Sequence, residues 1–289
     1  MYYFEAAVVL RSSLLLSTML SNSEAWVNVT STEIDHLERI DERFLRKIFA
    51  APSTTPKVCL YLESGQLPLR FVLMSRRLSF LKYILHEDED SLIRRFFEAQ
   101  VQNPIKNDWA SQVKLDLEQL SMNMSIDDVF TTPKFVFKKM LKEKVRDAAF
   151  KYLVEIKMTK SKAKELSHDS LSLQKYLSSS NQMNISEKQF VFNLRSNMID
   201  LKSNYKQGKS DLTCRLCQSS EETQLHLLHC EVLKDSSLLT QDTPQYCDLM
   251  GQDHVKIEAI GRILKTKFTQ FKLKTQTNQC TGQVAMCSN

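Results

Sequence analysis

The sequence predicts a mostly α fold, and three observations carry that prediction. Only 5 Gly and 6 Pro punctuate 289 residues, too few for the turns of a sheet-rich protein. Leu, Lys, Glu, Ser and Gln abound, which makes helix the default local structure. Apolar residues recur every three or four positions over much of the chain, the period of a helix with one buried face. With 42% hydrophobic and 25% charged residues, the composition is that of a foldable globular chain and not of a disordered one. A doubly wound α/β enzyme and an all-β sandwich are disfavoured on the same grounds, and the length allows two domains.

Two helices account for residues 6–49. The first lies in LRSSLLLSTMLSNSEAW. The second, STEIDHLERIDERFLRKIF, takes Ser31 or Thr32 as its cap and Asp35 in its first turn, and sets Ile34, Leu37, Ile40, Phe44, Leu45 and Ile48 on one face. Pro52 and Pro56 end this unit, and KVCLYLESGQLPLR follows, with Gly65 and Pro68 marking a turn. A third helix from Leu69 to Leu85 alternates Phe71, Leu73, Met74, Leu78, Leu81 and Leu85 with Arg70, Arg76, Arg77 and Lys82, and reads as amphipathic and basic.

The acidic loop HEDED at 86–90 precedes SLIRRFFEAQVQ, where negative charge favours a helix N-terminus. WASQVKLDLEQL is a short helix from Trp109. Ile126, Asp127 and Asp128 lead through a Thr-Pro turn into FVFKKMLKEKVRDAAFKYLVEIKM, the longest helical run. A Ser-rich break at 178–180 separates it from EKQFVFNLRSNMIDLKSNY, a helix with Phe190, Phe192, Leu194, Met198 and Leu201. After a cysteine-rich segment, DSSLLTQDTPQ reads as loop. Ile257, Ile260, Leu264, Phe268 and Phe271 then trace a last helix within 241–274, and the polar tail 275–289 is expected to be disordered.

The most apolar stretch, Ala6 to Leu20, is interrupted by Arg11 and several serines, so no membrane span is expected. The opening MYYFE lacks the basic start of a signal peptide, which places the chain inside the cell, in nucleus or cytoplasm. Motif scanning finds no phosphate-binding glycine loop, nucleophile elbow or metalloprotease helix, and Asp127, Asp128 and the 87–90 run sit where caps and loops belong. No catalytic constellation is read from the chain.

One metal motif does stand out. Cys214, Cys217, His226 and Cys230 spell C-x2-C-x8-H-x3-C. Two cysteines three apart on a tight turn direct both sulfurs at one ion, and His226 and Cys230, four apart, share one helix face. Three sulfurs and one nitrogen suit tetrahedral Zn2+, and a closed four-ligand set is structural because no position stays open for water. His229 points about 100° away from Cys230 around a helix and is the weaker ligand candidate. With seven cysteines, an odd number, this spacing favours metal over a disulfide framework.

The mild net charge of +5 is unevenly spread. Between Lys134 and Glu165 stand eleven basic and four acidic residues: Lys134, Lys138, Lys139, Lys142, Lys144, Arg146, Lys151, Lys157, Lys160, Lys162 and Lys164 against Glu143, Asp147, Glu155 and Glu165. Such a run offers phosphate contacts along a helix, with Phe135, Phe137, Phe150 and Tyr152 interleaved, although aromatics at helical spacing also serve as core.

Five segments, in order from about residue 6 to 234, resemble the C-terminal part of the reverse transcriptase polyprotein of non-LTR, LINE-type retrotransposons. They are SNSEAWVNVT, EIDHLERIDERFLRKIF, PSTTPKVCLYLESGQLPLRFVLMSRRLSFLKYIL, FFEAQVQNPIKNDWASQV and CRLCQSSEETQLHLLHC. The resemblance implies a thumb-like helical bundle gripping template and primer over 1–120, a basic helical linker over 121–205, and a CCHC zinc knuckle over 206–240 that engages nucleic acid. It implies phosphate contacts from Arg70, Arg76 and Arg77, and matches Cys214, Cys217, His226 and Cys230 to the knuckle. The family's palm motif with paired catalytic aspartates is missing, as is its endonuclease, since SIDDVF at 125–130 lies in the wrong place and lacks flanking strands.

The expected function is therefore RNA or DNA binding without catalysis, beside the remainder of a polymerase as a possible partner. The alternatives are a zinc-stabilised helical protein-interaction module and a translated relic without selected function. In the last case the helices that normally pack on a palm would expose apolar patches.

Overall fold

The computed structural model describes residues 3–180, 182–205, 211–233 and 245–286, and these are mostly helical, with one isolated β-bridge and no sheet among them. Helix α1 (Tyr3–Leu10) runs through a π-helical stretch at Arg11–Leu15 into the single turn α2 (Leu16–Met19). Helix α3 (Ser31–Phe49) begins one residue earlier than its cap was expected: Thr30 accepts from the Glu33 amide, and the Glu33 carboxylate accepts from the Thr30 amide. Ser125 and Asn184 form the same reciprocal box on later helices.

The apolar face of α3 is shorter than its periodicity predicts. Ile40 is 46% exposed, whereas Glu38 and Asp41 are buried. Asp41 is held by a two-pronged contact from the Arg11 guanidinium at 2.6 and 2.7 Å and accepts from the Tyr61 hydroxyl at 3.1 Å, so its charge is compensated inside.

The segment after Pro56, read only as leading to a turn, is a helix, α4 (Lys57–Ser64), buried on nearly every side and closed by Gly65 at φ +66°. Helix α5 (Leu69–Ile84) is central too. Its buried residues include Arg77 and Lys82 as well as Leu69, Phe71, Leu73, Leu78 and Leu81, so the expected basic solvent face is not there. Helices α6 (Leu92–Gln102) and α7 (Trp109–Gln119) follow, capped by Ser91 and Asp108, and the short α8 (Ile126–Thr131) turns into α9 (Lys134–Met158).

Helix α9 buries Phe137, Leu141, Val145, Ala149 and Leu153, one residue every four, against α4 and α5. Helix α10 (Ile185–Arg195) stops earlier than predicted, at a turn through Asn197 in the left-handed region, so Met198 and Leu201 are buried outside any helix. After the cysteine-rich segment, with its short α11 (Gln224–His229), come α12 (Tyr246–Met250) and α13 (His254–Met286). The last helix continues past Thr275, where the sequence was read as a disordered tail; Ile257, Ile260, Leu264, Phe268 and Phe271 are buried as its pattern predicts. The loop read at 235–245 lies, but for Gln245, outside the described residues.

A boundary between bundle, linker and knuckle does not appear in the core. One hydrophobic cluster extends from Phe4 to Phe271, and a small second one joins Leu16, Leu20, Leu69 and Leu73. Helix α9 packs on α4 and α5, α10 lies on α3 through the stacked rings of Phe49 and Phe192 at 4.1 Å, and α13 covers α10. The reason is physical: α4 has no solvent face, and α3 covers only part of it, so α9, beyond residue 121, must cover more.

A buried ionic hub ties these halves together. The Glu63 carboxylate accepts from Arg195 Nε at 3.0 Å, His168 Nε2 at 3.1 Å and the Tyr176 hydroxyl at 2.7 Å, and Arg195 Nη1 donates to the carbonyls of Leu249 and Gly251. Burial raises the Glu63 pKa, but the Arg195 charge and the His168 contact outweigh it and hold the carboxyl at about 2. Arg195 thereby fixes α12 beneath α13, the surface on which the cysteine-rich segment is seated.

Candidate metal centre and basic helix

The metal-ligand candidates are assembled by a small local framework. Thr213 and Glu221 form the isolated antiparallel bridge, and the Cys214 amide donates to the Ser220 carbonyl at 2.8 Å. The intervening turn closes with the Gln218 amide on the Cys214 carbonyl at 3.0 Å, Gln218 lying at φ +54°. That turn presents Cys214 and Cys217 on one side. Thr223 caps α11 by accepting from the His226 amide at 2.9 Å, which fixes the first turn of the helix that carries His226, and Cys230 follows as its C-cap.

The donor atoms of Cys214, Cys217, His226 and Cys230 all lie within 4.8 Å of one another, and Cys217 Sγ stands 3.3 Å from His226 Nε2. Zinc bonds of about 2.3 Å to sulfur and 2.0 to 2.1 Å to nitrogen imply ligand separations of roughly 3.8 and 3.5 Å in a tetrahedron, so the set fits one ion. His229 is exposed and outside the group. Charge favours a cation at the same point. Hydrogen bonds from the Ser219 hydroxyl and amide lower the Cys217 thiol to about 6, whereas burial, together with repulsion from the Cys214 and Cys217 sulfurs, pushes Cys230 up to about 11. Three sulfurs this close cannot all ionise cheaply alone, and a divalent cation removes that cost.

Supporting residues that the spacing did not reveal surround the site. Fully buried Glu222 accepts from the amides of Lys202 and Arg215 and from the Arg215 guanidinium, and these contacts outweigh burial and keep its carboxyl below the usual range. Arg215 in turn lies over the Phe271 ring at 5.0 Å. Lys267, 2% exposed, donates to the carbonyls of Leu228 and Leu233 at the end of α11. Gln224 reaches Leu194 and Asn197 on the α10 side and accepts from the Tyr246 hydroxyl. The module is thus built into the C-terminal half of the core. No local pattern marks Gln224, Glu222 or Lys267 as buried, because their partners are distant or their burial is set by packing.

The basic residues expected to meet phosphate divide into two groups. Arg76 donates to the carbonyls of Leu16 and Leu20, and Arg77, 5% exposed, is paired with Asp116. Arg70 stacks over Tyr152 at 4.7 Å and faces Glu38. These three are interior or clamped residues, a correction to their assignment as phosphate contacts: a central helix turns its guanidinium groups to the carbonyls and carboxylates that surround it. Arg146 likewise donates to the carbonyls of Gly65 and Leu171, and Lys157 to that of Leu166.

Lys134, Lys138, Lys139, Lys142 and Lys151 are exposed, and Lys144 is half-buried. Lys134, Lys138 and Lys142 follow each other at four-residue steps along one flank of α9, about 6 Å of rise apart. Lys139 and Lys151 lie on a row shared with Glu143, Asp147 and Glu155, where charges of both signs mix.

Among the described residues no helix is long and apolar enough to cross a membrane. Comparison with protein-family models, with curated proteins and with solved structures finds no match to this chain.

Proposed function

We propose that this chain is a C-terminal part or remnant of a non-LTR retrotransposon reverse transcriptase. It binds RNA or DNA through the exposed lysines of α9, inside the cell, and has no catalysis of its own. In this reading zinc on Cys214, Cys217, His226 and Cys230 is structural and holds the segment that packs on α10 and α13. The observation that most supports nucleic-acid binding is the row of Lys134, Lys138 and Lys142, which stays in solvent while neighbouring arginines are consumed by the interior. Phosphate contacts of this kind carry affinity without sequence preference and weaken with salt.

The test is anisotropy of zinc-loaded protein with an RNA hairpin and a matched DNA duplex across a salt series. Replacing Lys138, Lys139 and Lys142 by Ala is expected to weaken binding and to reduce the salt slope by about 2 to 3. Equal binding by parent and triple variant removes the lysine row from the reading.

A protein-interaction module is the second reading, favoured by an apolar cleft of about 560 Å³ lined by Val27, Phe80, Phe96, Ile105 and Trp109. Salt-insensitive binding of a protein partner, unaffected by polyanion, would favour it.

A further inference from the structure

The head of α9 combines two features that the phosphate reading does not use together. Phe135 is 78% exposed and Val136 50% exposed, side by side, one residue after Lys134. Phe135 is no part of either hydrophobic cluster, although the aromatic residue two positions on, Phe137, is buried in the larger one. On a helix, positions three and four beyond Phe135 are its surface neighbours, and these are the exposed Lys138 and Lys139. An uncovered ring is thus flanked by ammonium groups before, beside and beyond it. The nearest acid on its own row, Glu143, stands two turns further on.

We propose that this end of α9 is a docking site for single-stranded nucleic acid, with an unpaired base stacked on Phe135 and the adjoining phosphates on Lys134, Lys138 and Lys142. The proposal rests on the nucleic-acid reading above and names single strands over duplex as its ligand. Charge complementarity selects a polyanion, and the ring selects one whose flat apolar faces are accessible. Bases in a duplex are stacked on each other and hide those faces, whereas in a single strand every base offers one. An anionic membrane would satisfy the lysines too. It would need a long apolar helix face to insert, and the apolar face of α9, Phe137 to Leu153, is spent on the core.

The full-length zinc-loaded chain is tested against oligouridylate and oligothymidylate of about 15 nucleotides, a length that spans an ordinary single-strand site. A duplex of the same length and vesicles of equal parts phosphatidylserine and phosphatidylcholine serve as competitors. The parent is expected to prefer the single strands. Phe135→Ala should weaken single-strand binding about tenfold and leave duplex binding unchanged, while Phe135→Trp keeps affinity and has its added emission quenched by the oligonucleotide. Helix content and melting temperature of both variants should match the parent, since the ring packs on nothing in the core.

If Phe135→Ala binds single strands as the parent does, while the lysine variant loses both ligands, stacking is overturned and the nucleic-acid reading stands. If the parent binds neither nucleic acid at low salt, both fall. Binding to vesicles alone overturns both as well and assigns the patch to a lipid surface.

Discussion

The cysteine-rich segment and the Glu63 hub solve one problem by different means. Each concentrates negative charge in a buried place, and each needs a cation there. In the first, the thiols of Cys214, Cys217 and Cys230 with His226 form a pocket whose charge balance calls for an ion from outside. In the second, the cation is supplied by the chain, as Arg195 on Glu63, with His168 and Tyr176 completing the carboxylate's contacts. The ligands of the first lie within 17 residues of sequence, whereas Glu63 and Arg195 are separated by 132 positions. The difference teaches which part of the fold is conditional. With zinc bound as proposed, the cysteine-rich segment depends on metal supply and redox state, while the hub depends on pH and on the two halves of the chain meeting.

Chelation, or Cys214→Ser, should produce the largest effect and confine it. One zinc per chain in the parent is expected to fall to none in the variant, because metal binding of this kind is worth on the order of 10 kcal/mol to an isolated finger. Hydrogen exchange should quicken over 212–233 and along the part of α13 that meets it through Lys267 and Phe271, with α4 and α9 still protected. Retention of one zinc by the variant would sink the four-ligand site. Loss of protection at α4 as well would erase the distinction between the two regions.

Next in size is Glu63→Ala, which leaves Arg195 buried and unpaired and should cost about 3 to 5 kcal/mol in urea unfolding. Changing Glu63 and Arg195 both to Met removes the charges together, and recovery of at least part of that loss is expected, since a buried pair replaced by apolar groups is often neutral. If the double variant is no better than the single one, the hub acts through its contacts to His168, Tyr176, Leu249 and Gly251 and not through charge balance.

Locality also decides what could be read from the sequence. The C-x2-C-x8-H-x3-C spacing, the long α9 and the apolar face of α13 are short-range patterns, and each is found where its pattern places it. The hub is invisible in sequence because Glu63, in a segment with no helical period, and Arg195, on a predicted helix, both look like surface charges until the halves are packed. The same blindness put Arg76 and Arg77 on a solvent face: a run of alternating apolar and basic residues looks amphipathic, yet α5 is surrounded, and its arginines meet Leu20 and Asp116. α4 was missed as a helix because a run that is apolar on all sides has no period to detect.

Acid should separate the regions a second way. The folded pKa of Glu63, about 2, is depressed from 4.5, so its charged form favours the fold. That contribution is complete above the unfolded value and is lost as pH falls from about 4.5 to about 2, on the order of 3 kcal/mol in all. A stability titration of metal-free protein, which takes zinc release out of the curve, should slope downward across this window, and Glu63→Gln should flatten it. An unchanged slope in that variant would move the acid sensitivity to other carboxylates.

The smallest effect compares how each region turns its chain through the left-handed conformation. Beside the hub, Gly65 at φ +66° has no room: a Cβ there would stand 2.2 Å from the Ser172 carbonyl carbon, backbone that cannot swing aside. In the knuckle the same kind of turn is made by Gln218 at φ +54°, with its side chain in solvent. A side chain in this conformation costs roughly 1 to 2 kcal/mol, and glycine gives back part of that gain through its freer unfolded chain. Gln218→Gly is therefore expected to stabilise zinc-loaded protein by about 0.5 kcal/mol, read from the urea midpoint. Gly65→Ala should destabilise by more than about 1 kcal/mol, because strain and clash act together. Stabilisation by Gln218→Gly together with destabilisation by Gly65→Ala would show that both turns hold a left-handed conformation that glycine adopts at least cost. Destabilisation by Gln218→Gly would mean that the glutamine side chain contributes to the turn, and that the two regions are held more alike than their chemistry implies.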